Sequence, residues 1–214
     1  MKRGLLTTIL TITCLVMAFG VFQASAQENT GANTNTNIMN INGTMITQVQ
    51  FQRELANDLS KDAGKSLTND EVKERIQKVL QNIERKELIY QECQKNNIVV
   101  TDDEINQKYD TEKGKFASEE EYLKYKNTDA VTRKSEIKRD LAIQRLMNQK
   151  YAPAVTDQEV EKYFKDNPDK FKDAQLDQVK DSIKKQLGKE KMADSYNKLY
   201  VDLKSKASIE YFLK

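Results

Sequence analysis

Apolar residues recur along most of this chain at intervals of three and four, the period of a helix with one buried face. Phe51, Leu55 and Leu59 predict a first helix. Val72, Ile76, Val79, Leu80 and Ile83, continued by Leu88, Ile89 and Cys93 toward Asn96-Asn97, predict a long second one. Ile137, Leu141, Ile143, Leu146 and Met147 mark a helix from about Val131 to Tyr151. Val179, Ile183, Leu187, Met192, Tyr196, Leu199 and Leu203 mark the last, from about Ala174 to Lys206. At ~1.5 Å per residue that helix is roughly 50 Å long, more than a compact domain of this size needs. Gly188 inside it is a candidate bend. Two short segments leave the helical period. In "IMNINGTMIT", Asn42-Gly43 stands between apolar runs, a strong hairpin signal, and "SIEYFLK" closes the chain as a strand pattern. A lone hairpin is marginal in water, so the strand around Ile209 to Phe212 is expected to pair with the hairpin around Ile38 to Ile46.

The helix starts are marked with equal clarity. A Ser or Thr followed three residues later by Glu or Gln is a capping box, and apolar residues flanking it form a staple. Thr47 to Gln50 carries the Ile46/Phe51 staple, Thr68 to Glu71 Leu67/Val72, and Thr101 to Glu104 Val100/Ile105. Thr156 to Glu159 carries Val155/Val160, and Ser118 to Glu121 the weaker pair Ala117/Tyr122. Five such signatures predict five helix starts.

Composition changes the picture at the N-terminus. Lys2-Arg3, the apolar stretch Leu5 to Phe22 and the small residues Ala24-Ser25-Ala26 read as a secretory signal peptide over 1–26, cleaved after Ala26. No stable membrane anchor is then expected, and the protein is placed outside the cytoplasm, in the periplasm or cell envelope or secreted. Residues 27–37, largely Asn and Thr, read as a disordered polar linker ahead of a domain over 38–214. Removing Lys2 and Arg3 brings Lys and Arg from 35 to 33, equal to the 33 Asp and Glu, so no net field for nucleic acid remains.

The absence of histidine from the whole sequence removes His-based acid/base catalysis, Ser-His and Cys-His nucleophile pairs and ordinary zinc sites. Cys93 is the one cysteine left after cleavage and sits on an apolar stripe, as a buried thiol would. The acidic runs Asp102-Asp103-Glu104 and Glu119-Glu120-Glu121 fall in first helical turns, where they compensate the macrodipole. No catalytic residue, metal site or cofactor is expected.

"INGTMIT", then a helix, then "VLQNIERKELIYQECQKNNIVVTDDEI" resemble the N-terminal domain of SurA/PrsA-type extracytoplasmic chaperones. "FASEEEYLKYKNTDAVTRKSEIKRDLAIQRLMNQKY" and "VTDQEVEKYFKDNPDKF" resemble the helices that follow in that family. "QLDQVKDSIKKQLGKEKMADSYNKLYVDLKSKASIEYF" is similar to the helix and strand that return to the domain. The implied fold is mainly α, with a long C-terminal helix and a small β element made by the N-terminal hairpin and the C-terminal strand. In many relatives a parvulin-type prolyl isomerase domain follows the NPDKF-like stretch. Here Phe171 runs through Lys172-Asp173 into the last helix, with no room for that insert.

The resemblance implies an ATP-independent holdase for unfolded or newly secreted envelope proteins, without prolyl isomerase catalysis. Tyr109, Phe116, Tyr122, Tyr125, Met147 and Met192 are the candidate client contacts, because adaptable aromatic and thioether side chains suit a broad binding surface. In the alternative reading the same fold is a structural or assembly protein of the envelope. It would then grip one dedicated partner or form a homodimer through its long helices.

Overall fold

The computed structural model describes residues 36–62, 66–172 and 174–212. The expected signal peptide lies outside them, as does the linker up to residue 35. Thr36 and Asn37 already belong to the fold. The Thr36 carbonyl accepts the Gln48 N–H at 2.8 Å, and Asn37 opens the first strand.

Strands β1 (Asn37–Ile41), β2 (Thr44–Thr47) and β3 (Ile209–Tyr211) form an antiparallel sheet in the order β2-β1-β3. Ile41 faces Thr44 on one side and Ile209 on the other, so the two ends of the described chain meet as the strand patterns predict. The turn between β1 and β2 needs two residues at positive φ, and Asn42 (φ 50) and Gly43 (φ +89) supply them. The Asn42 side chain then ties three elements together. Its oxygen accepts the Ser208 N–H at 2.9 Å and its amide donates to Gln91 at 2.9 Å.

Seven α-helices follow among the described residues: α1 (Gln48–Leu59), α2 (Asn69–Lys95), α3 (Asp102–Lys113), α4 (Glu119–Lys126), α5 (Ala130–Lys150), α6 (Asp157–Asp166) and α7 (Leu176–Lys206). Thr68, Thr101 and Thr156 close full capping boxes with Glu71, Glu104 and Glu159. Thr47 and Ser118 accept their N3 amides. The Glu121 carboxylate reaches past Ser118 to the Ala117 N–H instead, at 3.0 Å. All five expected starts are present. Helix α5 is capped by Asp129 and α7 by a Gln175/Gln178 pair, neither of which the Ser/Thr signature finds. Helix α7 runs without interruption through Gly188.

Helix α2 is the axis of the body, packed against α1, α5, β1 and α7. Ile76, Val79, Leu80, Ile83, Leu88, Ile89 and Cys93 are its buried stripe, and Met39, Ile41 and Ile46 cover it from the sheet. The second half of α7, through Met192, Tyr196, Leu199, Tyr200 and Leu203, packs on the same core. The first half does not. There α6 packs alongside, and Val160 and Ile183 are buried outside the main cluster. Residues Asn167 to Gln175 alone separate α6 from α7, and a single 3₁₀ turn at Pro168–Lys170 fills much of that span. The body thus carries an arm built of α6 and half of α7, with no domain between them.

Candidate functional site

Four of the six candidate contacts come together where α3, α4 and α5 meet. Tyr109 and Tyr122 pack edge to face at 5.5 Å, Phe116 lies 5.3 Å from Tyr122, and Tyr125 lies 5.2 Å from Phe116. The polar ends of the two inner rings are occupied. The Tyr109 hydroxyl donates to Glu119 at 2.6 Å, and the Tyr122 hydroxyl donates to Glu112 at 2.8 Å while accepting from Arg133 at 3.0 Å. Burial, helped by the nearby carboxylates, pushes both hydroxyls above their ordinary pKa, so both stay protonated donors.

The expected contacts differ widely in burial. Tyr109, Tyr122 and Met147 are core residues, with 3%, 0% and 4% of their surface exposed, because each stands on the inward stripe of its helix. Phe116 and Met192 are half-buried against the core. Tyr125, at 68%, is the one fully open ring of the six.

Three other exposed apolar side chains share one groove. Met45 on β2, Val49 on α1 and Val131 on α5 are 47%, 46% and 80% exposed, and all three line a groove of about 470 Å³ between β2–α1 and α5. The backbone of β2 contributes too. Asn42 N–H bonds to Ser208 and Phe212 N–H bonds to Ile38, so alternate positions of β1 point toward β3. Asn40, the partner of Met45, is one of them; the N–H and C=O of Met45 therefore face outward, away from β1. β2 is an edge strand beside an apolar-rimmed groove.

The groove floor is charged but internally paired. Arg53 meets Glu136 at 2.8 Å, and Arg139 meets the buried Glu87 at 2.6 Å. Gln50, Arg53, Glu136 and Arg139 also line a second cleft of about 390 Å³, so the two are neighbours. Ile83, Arg85 and Tyr196 close that second cleft. The arm ends in a separate aromatic cluster, with Phe164 stacked on Phe171 at 5.2 Å and Tyr163 at 6.3 Å.

Burial pushes the Cys93 thiol up to about 11, away from the reactive thiolate. Glu104 and Asp129 are held below the usual carboxylate range, chiefly by the capping bond to Thr101 and the Thr132 hydroxyl respectively. Among the described residues no cluster of His, Cys, Asp and Glu is placed to hold a metal, and no helix is long and apolar enough to cross a membrane.

Met45, Val49 and Val131 stand off the apolar stripes, so periodicity does not single them out. Each is an apolar residue where the period calls for a polar one. A comparison with curated proteins finds no match. Residues 1–147, through most of α5, match the family described as the SurA-like N-terminal domain, while α6, α7 and β3 lie beyond the matched region. The chain belongs to the SurA-like N-terminal domain family.

Proposed function

We propose that this protein is an exported, ATP-independent chaperone that holds unfolded or newly secreted polypeptides in the groove between β2–α1 and α5, with no prolyl isomerase step. The observation that carries the reading is this groove on a domain of the SurA-like family: exposed Met45, Val49 and Val131 beside an open strand edge. Such a surface suits extended chains of many sequences. Backbone pairing along an edge strand is indifferent to side chains, and a Met-bearing apolar rim adapts to whatever is presented. A short junction between α6 and α7, and the absence of histidine, support binding without catalysis. The residues at 1–26 support action outside the cytoplasm.

Affinity is expected to be of micromolar order, about −8 kcal/mol, because the client must be ordered and the groove is shallow. The test is light scattering of several unrelated denatured clients diluted into increasing amounts of the mature protein without nucleotide. Suppression near stoichiometric amounts is the expected result. Unchanged aggregation across all clients would replace this reading with that of a dedicated envelope partner. In parallel, the purified protein is expected not to accelerate isomerisation of a proline peptide, and acceleration that titrates with the protein after repurification would contradict it.

A further inference from the structure

Arg53, Arg75, Arg133, Arg139 and Arg145 each meet a carboxylate, whereas Arg85, among the described residues, meets none. Its guanidinium instead lies over Tyr200, 4.8 Å from the ring centre, and 5.9 Å from that of Tyr196. Tyr200 is itself fixed, its hydroxyl donating to the buried Glu84 at 2.5 Å. The Arg85 Nε is buried with no hydrogen-bond partner, and the residue lines the cleft of about 390 Å³ beside the groove. Tyr200 covers a face of the guanidinium and takes none of its N–H donors, which form the fork that matches a carboxylate. The ring holds it in place before any ligand arrives, which lowers the entropy lost on binding.

The other charges of the cleft are largely spoken for. Arg53, Lys61, Lys86 and Arg139 are each paired with a carboxylate, which leaves Arg85, among the described residues, as the one basic side chain of the lining without such a partner. Glu54 is the remaining carboxylate of the lining and the one that opposes an incoming anion. The cleft and the groove share four lining residues, so a chain lying along β2 would have the cleft beside it.

We propose that the Arg85 cleft binds a carboxylate of an extended polypeptide whose apolar side chains lie in the groove along β2. The inference rests on the chaperone reading and adds a preference to it: clients in which an apolar stretch is followed by an acidic residue or by the chain end. Both sources supply the same planar oxyanion.

The experiment is fluorescence anisotropy of a dye-labelled short peptide of alternating Val and Ser, in three forms: one internal Asp with an amidated end, Asn in its place with an amidated end, and Asn with a free acid end. The full mature protein is titrated with each. At least one carboxylate form is expected to bind about tenfold tighter than the neutral form, and the form that does so identifies the source. Arg85→Gln should abolish that ratio while leaving the neutral peptide's affinity unchanged, and Glu54→Gln should widen it. Equal binding of all three forms by the wild type, or a ratio that survives Arg85→Gln, overturns the proposal. Equal loss for all three forms in Arg85→Gln, with no widening in Glu54→Gln, assigns Arg85 a structural role and overturns it as well. Aggregation suppression measured on the same wild-type sample separates the two claims. Suppression without carboxylate preference sinks only this inference; carboxylate preference without suppression sinks only the holdase reading.

Discussion

The body and the arm are both helical, charged outside and capped by the same chemistry, yet they are held together very differently. The body closes on a continuous core from Ile38 to Tyr200, with the sheet as a lid and a buried carboxylate as a clasp. Glu84, with no exposed surface, accepts from Tyr200 at 2.5 Å, Tyr211 at 2.7 Å and Lys204 at 2.7 Å, which draws α7 and the strand after it onto α2. The arm has Val160, Ile183 and a few half-buried rings, and its polar fastening is on the surface: Lys191 to Glu159, and Lys180 to Asp157. Exposed ion pairs contribute little, so the arm stands on a few apolar contacts and the rigidity of α7. One helix, α7, therefore belongs to two environments, anchored at its C-terminal half and lightly covered at its N-terminal half. A difference of this kind lets an arm open or shift while the body stays folded.

The largest effect is expected from breaking the clasp. Glu84→Ala strands two tyrosine hydroxyls and an ammonium in or near the core, a loss of about 3–5 kcal/mol. Urea unfolding should show it as a lowered midpoint; a shift under ~1 kcal/mol would mean that α7 docks by apolar contacts alone. The aromatic ladder offers the next contrast. Tyr122→Ala should cost about 3–5 kcal/mol through the cavity it leaves, while Tyr125→Ala, two thirds exposed, should cost under ~1 kcal/mol. Equal costs would contradict the burial order along the ladder.

In the arm, Ile183→Ala should cost roughly 2–4 kcal/mol locally. Hydrogen exchange should accelerate across α6 and the first half of α7 while protection in α2 stays unchanged. Matching acceleration in α2 would show that arm and body unfold as one. A smaller effect is expected from acid. Glu159 is held at about 2, below its usual 4.5, first by the Lys191 hydrogen bond and then by the Thr156 N–H. A depressed carboxylate contributes stability that is complete above 4.5 and is lost as pH falls toward 2. Methyl NMR signals of Val160 and Ile183 should shift across that window, ahead of those of Ile76 and Ile89, and Glu159→Gln should flatten the response. Body signals moving first would reverse the comparison.

Much of this fold was legible because its signals are local. The Asn42-Gly43 turn, the Thr and Ser caps at 47, 68, 101, 118 and 156, and the stripe of α2 each depend on residues within one or two helical turns. The starts of α5 and α7 were placed from periodicity alone, since Asp129 and Gln175 cap them without the Ser/Thr signature. The pairing of β3 with β1 was legible from the need of a hairpin for a third strand. The site was not legible in the same way. Tyr109 and Tyr122 occupy helical positions that fit a core or a surface equally well, and the packing of α3 against α5 decides between them. The groove exists only once β2, α1 and α5 are assembled. Glu84 and Glu87 read as solvated charges until their partners arrive from α5, α7 and β3. What distinguishes Arg85 is a missing partner, which no local pattern reports.

The most direct test of the account replaces the groove's apolar rim. Met45→Ser, Val49→Ser and Val131→Ser together change three side chains that are each close to half exposed or more, so the fold and its unfolding midpoint should be retained. Light scattering of a denatured client is then compared for wild type and triple variant at equal, stoichiometric concentration. The account predicts strong suppression by the wild type and little by the variant, with superimposable circular dichroism and melting curves. Equal suppression by the two proteins would contradict it, and would move the client off the groove to another surface, the aromatic end of the arm first.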